Sequence, residues 1–280
     1  MATEILHYTA FSTDPEGGNP AGVVLDASGL SPADMLSIAA ELGYSESAFL
    51  TAPPEGLGEP GRAFTLRYFS PKMEVSFCGH ATVAAAVALA ERIGPGPLAF
   101  ATRAGTVPVE VDADLRATLI SVEPYVEDVD PDDVDLALAA LHWDAAHLDP
   151  AFPPRVAYAG ARHLVLAAAT RERLADLDYD FVALAEYMTA RDLTTVQLVW
   201  RESAEVYHVR DPFPVGGVVE DPVTGAAAAA FGAYLRELGL AGPGVLTLHQ
   251  GEDMGRPGVL LVELREGDAR VRVTGAAVAL

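Results

Sequence analysis

The chain has 280 residues, 50% of them hydrophobic, and sets 18 basic side chains against 40 acidic ones for a net charge of −22. That length holds one large domain or two ordinary ones around a sizeable core. The acidity excludes nucleic acid and anionic membrane surfaces as partners, since both need basic patches, and an anionic substrate would have to be drawn in locally.

The single cysteine, Cys78, rules out an internal disulfide or a Cys-rich metal centre. Lys72 is the sole lysine, the one place where a pyridoxal phosphate Schiff base could form. The start, MATEILHYTA, lacks the basic-then-apolar layout of a signal peptide, and no apolar run approaches membrane-spanning length. A cytoplasmic protein is expected.

Residues 4–10 alternate as a strand, FSTDPEGGNP (11–20) is turn chemistry, and 21–25 return as a second strand. Ser31 caps a helix with Pro32 at its first position, and Gly43 is its left-handed stop. Strands at 48–50 and 63–69 follow. The stretch LRYFSPKMEVSFCGHATVAAAVAL (66–89) changes character at Cys78-Gly79-His80. Beyond that point lies an Ala/Val helix apolar on every side, which has to sit inside a core. Its first turn leaves N–H donors without partners, a ready site for a carboxylate or phosphate. Strands at 98–102, 107–111 and 117–122 close this half.

A helix over 127–141, acidic in its first turn, is expected as a connecting insertion, and 143–154 is irregular. The order then recurs: a hairpin at 155–159 and 163–167, a helix at 180–190, strands at 196–200 and 206–209, an apolar helix at 226–235, and strands at 245–249, 258–264 and 270–274. Arg67 and Arg210 are 143 residues apart, as are Pro71 and Pro214, whereas Gly79 and Gly225 are 146 apart. The segment Glu220-Asp221-Pro222 is expected to absorb the slip. A repeat of this size is a duplicated half-domain. The fold class is therefore α+β: two pseudo-symmetric halves, each a mixed, mostly antiparallel sheet wrapped around a central apolar helix, expected at 1–123 and 124–274.

Duplicated halves commonly set equivalent helix ends across a cleft, where two N-termini would bind one carboxylate. Candidates therefore lie near Gly79 and Gly225. His80, beside a helix N-terminus, should be a neutral hydrogen-bonding imidazole; it also fits a core histidine satisfied by backbone. Cys78 reads as an activated thiol or a small buried filler. Glu46, between a helix stop and an apolar strand, reads as a partly buried proton-transfer carboxylate or a solvated loop acid. Asp221, before Pro222, could cap the second core helix, orient an acid or base, or serve a plain turn. There is no GxGxxG, P-loop, HExxH, GxSxG or metal-spaced His/Asp cluster, so no metal or nucleotide is expected.

GNPAGVVL (18–25), SESAFL (45–50), FCGHATVAAA (77–86) and EDPVTGAAAA (220–229) together resemble the PhzF-like family of phenazine biosynthesis, which shares the diaminopimelate epimerase fold. The resemblance covers essentially the whole chain. It implies a cofactor-free, homodimeric isomerase. Glu46 would move a proton, with His80 and Asp221 as its catalytic partners. The backbone at Gly79 and Gly225 would hold the substrate carboxylate, and Asn19, Cys78, Thr224 and Ala226 would complete the binding surface. It also implies that the C-terminal strand, 275–280, returns to the first half. Two departures stand out. The family often has serine where this chain has Ala226, so a hydroxyl contact is lost. Thr224 stands where the epimerases carry the second of two cysteines, so two-thiol racemisation cannot operate. The reading is a cofactor-independent isomerase of a small carboxylate-bearing substrate. Its alternatives are a two-base amino- or hydroxy-acid epimerase using Glu46 and Cys78, or a non-catalytic binding protein on the same scaffold.

Overall fold

The computed structural model describes residues 3–280; Met1 and Ala2, at the start of the expected N-terminal half, lie outside the described residues. The described chain folds as two compact units, 3–120 with 274–280 and 121–273.

Unit 1 runs β1 (Leu6–Ala10), β2 (Asn19–Val24), α1 (Pro32–Leu42), β3 (Glu46–Thr51), β4 (Ala63–Phe69), β5 (Glu74–Val75), α2 (Gly79–Ile93), β6 (Gly96–Thr102), β7 (Gly105–Val111) and β8 (Ala117–Ile120). The helix α1 ends where its sequence dictates: Ser31 and Asp34 form a reciprocal capping box, and Gly43 stops the helix at φ 69°. Strand pairing is antiparallel for β1/β2, β3/β4, β6/β7 and β7/β8, and parallel for β2/β3 and β4/β6, with β5 folded back on β4. The last strand of the chain, Ala277–Ala279, pairs antiparallel with β1. This sheet curls around α2, which touches β1, β2, β3, β7 and β8. His80 through Ala90 are buried without a break. Alanine supplies both high helix propensity and the slimness that lets strands approach from all sides.

Unit 2 runs β9 (Tyr125–Asp128), α3 (Pro131–Ala140), β10 (Arg155–Tyr158), β11 (Arg162–Ala167), α4 (Arg171–Ala175), α5 (Phe181–Ala190), β12 (Thr195–Arg201), β13 (Val206–Pro212), β14 (Glu220–Asp221), α6 (Gly225–Glu237), β15 (Gly244–Gln250), β16 (Gly258–Leu264) and β17 (Val271–Gly275). The succession of pairings is the same: β10/β11 antiparallel, β11/β12 parallel, β12/β13 antiparallel, β13/β15 parallel, β15/β16 antiparallel, with β14 folded back on β13. The core helix here is α6, packed on β9, β10, β11 and β16. At Gly232 its backbone comes so close to the sheet that a Cβ would lie 2.7 Å from Val262 Cγ1. Leu138, Leu141, Leu184 and Met188, from α3, α5 and their flanks, cover Leu164, Leu166 and Leu198. Among the described residues no helix is long and apolar enough to cross a membrane.

Two expectations need correction. Residues 127–141 are not one helix: Glu127 and Asp128 belong to β9, paired with Val156 and Arg155, and the helix starts at Pro131 with Asp130 as its cap. Proline is at home in the first helical position, so the boundary falls there rather than at the earlier acids. The three-residue slip is also not in Glu220-Asp221-Pro222. Glu74 and Glu220 are already 146 apart, so the extra residues lie upstream, in the short 3₁₀ turn Pro214–Gly216 closed by Gly217 at φ 82°.

Those two glutamates do equivalent work. Arg67 of β4 donates from Nε and Nη2 to Glu74 at 2.7 and 2.8 Å. Arg210 of β13 donates to Glu220 at 2.9 and 2.6 Å. Each pair ties the short strand leading into a core helix to the strand before it. The second pair is deeper, with Glu220 only 3% exposed. Arg210→Met should therefore cost about 3–5 kcal/mol, because it strands a buried charge. Arg67→Met should cost about 1 kcal/mol, since Glu74 keeps Arg103 at 3.1 Å. Urea unfolding of both variants checks the contrast.

Candidate active site

Both core helices begin bare. The four other α-helices carry side-chain caps, from Ser31, Asp130, Thr170 and Asp180, but the cap positions of α2 and α6, Cys78 and Thr224, make no such bond. Their first-turn N–H groups are thus not claimed by a side-chain cap, and the helix dipole adds partial positive charge there.

In unit 1 the start of α2 is fixed from behind. Burial pushes the Tyr68 hydroxyl far above its usual range, so it stays protonated. It lies 2.7 Å from Thr82 Oγ1, which in turn donates to the Cys78 carbonyl at 2.6 Å. In front, the parallel register of β2 and β3 sets Glu46 opposite Ala21, two residues after Asn19. Four of the expected residues meet here. Cys78 Sγ donates to Glu46 Oε2 at 3.6 Å, and His80 Nε2 lies 3.6 Å from the same oxygen. Asn19 Nδ2 donates to His80 Nδ1 at 3.2 Å, which leaves the ring proton on Nε2, facing Ser45 Oγ at 3.3 Å and Glu46. Burial holds the His80 pKa below its usual value, with the Glu46 charge opposing, so the imidazole is neutral near neutral pH. Asn19, Cys78 and His80 are buried, whereas the Glu46 side chain is 20% exposed. Glu46 is the reactive group of this cluster that reaches solvent.

Glu46, Cys78 and His80 also have ligand atoms within 4.8 Å of one another, a set that could hold a metal ion. However, the thiol lies 3.4 and 3.7 Å from the two ring nitrogens, almost equidistant. The imidazole also has no lone pair free for an ion, since Nδ1 accepts from Asn19 and Nε2 carries the ring proton. The arrangement is one of hydrogen-bond partners gathered around a carboxylate.

In unit 2 the expected residues sit in a different polar setting. Thr224 N–H donates to Gln250 Oε1 at 2.9 Å, and Gln250 Nε2 donates to the Asp221 carbonyl at 3.0 Å. Asp221 does not cap α6, as the sequence suggested; its Oδ2 accepts the Thr224 hydroxyl at 2.6 Å. Pro222 and Val223 carry the chain on to Thr224, which takes the cap position. Gly225 opens the helix, buried, and Ala226 is partly exposed with no functional group. At the 146-residue offset Thr224 stands where unit 1 has Cys78, and Ala226 where it has His80. Thr195 opens β12 as Glu46 opens β3 and faces His163, whose Nδ1 lies 2.8 Å from the Thr195 hydroxyl. No motif pointed to Gln250, Thr195 or His163 as partners. They are ordinary residues in or beside strands, and tertiary contact alone gives them work.

A family model described as phenazine biosynthesis-like protein, PhzC-PhzF, matches residues 8–280. An uncharacterized isomerase of Salmonella typhimurium, YddE, is 34% identical over 100% of this chain and 97% of its own length. The trans-2,3-dihydro-3-hydroxyanthranilate isomerase of Pseudomonas fluorescens is 30% identical over 95% of this chain and 93% of its own. Among solved structures, a PhzF-family phenazine biosynthesis protein of Bacillus anthracis superimposes with a TM-score of 0.85 at 25% identity, covering 100% of this chain and 98% of that one. The α+β fold read from the sequence is the fold of these proteins.

Burial pushes His163 down to about 3. Between the unfolded-state value of about 6.5 and that folded value, the unfolded chain binds a proton that the folded chain refuses. Stability contributed by this group is therefore present above the unfolded value and falls with pH, by about 1.4 kcal/mol per pH unit for one such group. His163→Gln should flatten the acid limb of a stability–pH curve by roughly that slope, which denaturant midpoints measured across the range would reveal.

Proposed function

The chain belongs to the phenazine biosynthesis-like (PhzC-PhzF) protein family, and from that premise we propose that it is a cofactor-independent isomerase of a small carboxylate-bearing substrate, with Glu46 carrying a proton from one carbon to another. One observation carries this reading: Glu46 is a partly exposed carboxylate whose Oε2 has a thiol and an imidazole nitrogen at 3.6 Å, with the imidazole neutral. A neutral His80 leaves the negative charge on Glu46 intact, as a base requires. The two neighbours can hydrogen-bond the carboxylate before transfer and adjust once it is protonated. Negative charge developing on the substrate would meet the uncapped N–H groups at Gly79, preorganised donors that need no rearrangement.

In the same reading Asp221 is a catalytic partner, Thr224 and the Gly225 amide bind substrate, and Ala226 offers no hydroxyl contact. The protein would act as a homodimer in the cytoplasm. The repeated succession of strand pairings supports an internal duplication. The substrate class extends from small carboxylates to trans-2,3-dihydro-3-hydroxyanthranilate, the compound in the name of the Pseudomonas relative.

The two-base epimerase reading is weaker on geometry. Two bases flanking one carbon each stand about 3–3.5 Å from it, which sets them nearly twice that distance apart. Glu46 Oε2 and Cys78 Sγ are 3.6 Å apart and leave no place for a carbon between them.

Turnover of trans-2,3-dihydro-3-hydroxyanthranilate and of a panel of small unsaturated and 2-amino acids in deuterated water tests the proposal. Glu46→Gln should lower solvent deuterium incorporation roughly 10²–10⁴-fold, and unchanged incorporation would reject the role. Cys78→Ser should keep most of the activity; a loss as deep as that of Glu46→Gln would favour the two-base reading. Asp221→Asn with unaltered kcat and KM would remove unit 2 from the mechanism. A wild-type protein that binds such acids without exchange would be a binding protein.

A further inference from the structure

Asp211 is a fully buried acid for which the reaction above has no use. It lies on β13 at 0% exposure, directly across from Asp221 of β14 in the antiparallel register. Register partners project to the same face of a sheet. Asp211 Oδ1 accepts the Thr195 hydroxyl at 2.7 Å. Thr195 spends its one proton there, so its oxygen receives the His163 Nδ1 proton at 2.8 Å. Asp211 Oδ2 has no hydrogen-bond partner among the described residues.

Among the described residues no cation is paired with Asp211. Arg210, the preceding residue, is held bidentately by Glu220 and donates its remaining Nη to the Ala175 carbonyl at 2.6 Å. His163 is neutral. The neighbouring strand offers only two more acids, Glu220 and Asp221, and the first turn of α6 contributes glycine and alanines. An ionised carboxylate with one hydroxyl donor, no solvent and no counter-ion is strongly disfavoured. Burial first, and then the charges of Asp221 and Glu220, push this carboxyl well above its usual range, against the opposing Thr195 hydroxyl.

Asp221 is in the converse position. It is partly exposed, so water can stabilise its charge, and it receives the Thr224 hydroxyl at 2.6 Å. Two facing carboxyl groups separate in just this way, one ionised and one kept neutral.

We propose that Asp211 and Asp221 form a carboxyl pair holding a single proton, in which buried Asp211 is the neutral member and acts as a positioning residue that keeps Asp221 ionised as the acceptor of the Thr224 hydroxyl. Unit 1 offers a parallel. The residue after Arg67 is Tyr68, another buried, neutral O–H, and it serves the first turn of α2 through Thr82. Asp211 follows Arg210 in β13 as Tyr68 follows Arg67 in β4. The importance of this proton for turnover rests on the isomerase reading; its presence does not.

Infrared spectra of the full chain in deuterated water near neutral pH test the pair without any substrate. Asp211→Asn is close to isosteric and should abolish one protonated-carboxyl C=O band with no loss of carboxylate absorption. In Asp221→Asn that band should titrate at lower pH than in the wild type, because the neighbouring charge is gone. A wild type without the band, a band that survives Asp211→Asn, or an unmoved titration in Asp221→Asn overturns the pair. If Asp211→Asn does not fold, the wild-type spectrum still decides: a band that vanishes together with the ordinary carboxyls refutes it. A pair that stands while Glu46→Gln leaves deuterium exchange unchanged would sink the isomerase reading alone.

Discussion

A helix buried on every face can be entered only by chain that turns inward through the sheet, and that turn has to be held. Arg67–Glu74 and Arg210–Glu220 hold it in the two units. Each arginine sits on the strand before the turn and each glutamate on the short strand within it, so a bidentate bond fixes the last few residues before the helix. What those residues present is a cap position with no side-chain cap, followed by glycine. The apolar, alanine-rich faces of α2 and α6 cost the chain any chance of surface solvation, and the ion pairs let the helix ends stay polar inside that core.

The parts of the fold that announce themselves in sequence are those governed by local chemistry. Ser31-Pro32 and Gly43 bracket α1 because capping and left-handed glycine act within a few residues. The two core helices are visible because a run without polar residues has one solution. The 127–141 segment misled because acids that look like a first helical turn can equally well line an edge strand; Asp130-Pro131 was the true start. The slip between the repeats was placed too late for a related reason. Only the Arg–Glu bonds show that Glu74 and Glu220 are equivalent, and a spacing count keyed on proline and glycine misses them.

The site divides the same way. Asn19, Glu46, Cys78 and His80 stand in compact motifs, and the structure brings them together around one carboxylate oxygen. Asp221 was legible as a residue with a role, but its work is to accept the Thr224 hydroxyl rather than to cap. Gln250, Thr195, His163 and Asp211 were not legible, since the partner of each comes from another strand or loop. The two units have thus kept a common backbone plan while their chemistry has parted. Around the start of α2 are a thiol, an imidazole and a glutamate; around the start of α6 are hydroxyls, an amide and aspartates.

The strand Ala277–Ala279 lies beside β1, and Phe11 N–H bonds the Ala276 carbonyl at 2.7 Å. Unit 1 is therefore built from both extremes of the described chain, whereas unit 2 is one uninterrupted stretch, 121–273. On the ribosome the first unit must wait for the second to be made, roughly 10–30 s at ordinary elongation rates of about 5–20 residues per second. During that interval one margin of β1 has no neighbour and is open to pairing with another nascent chain.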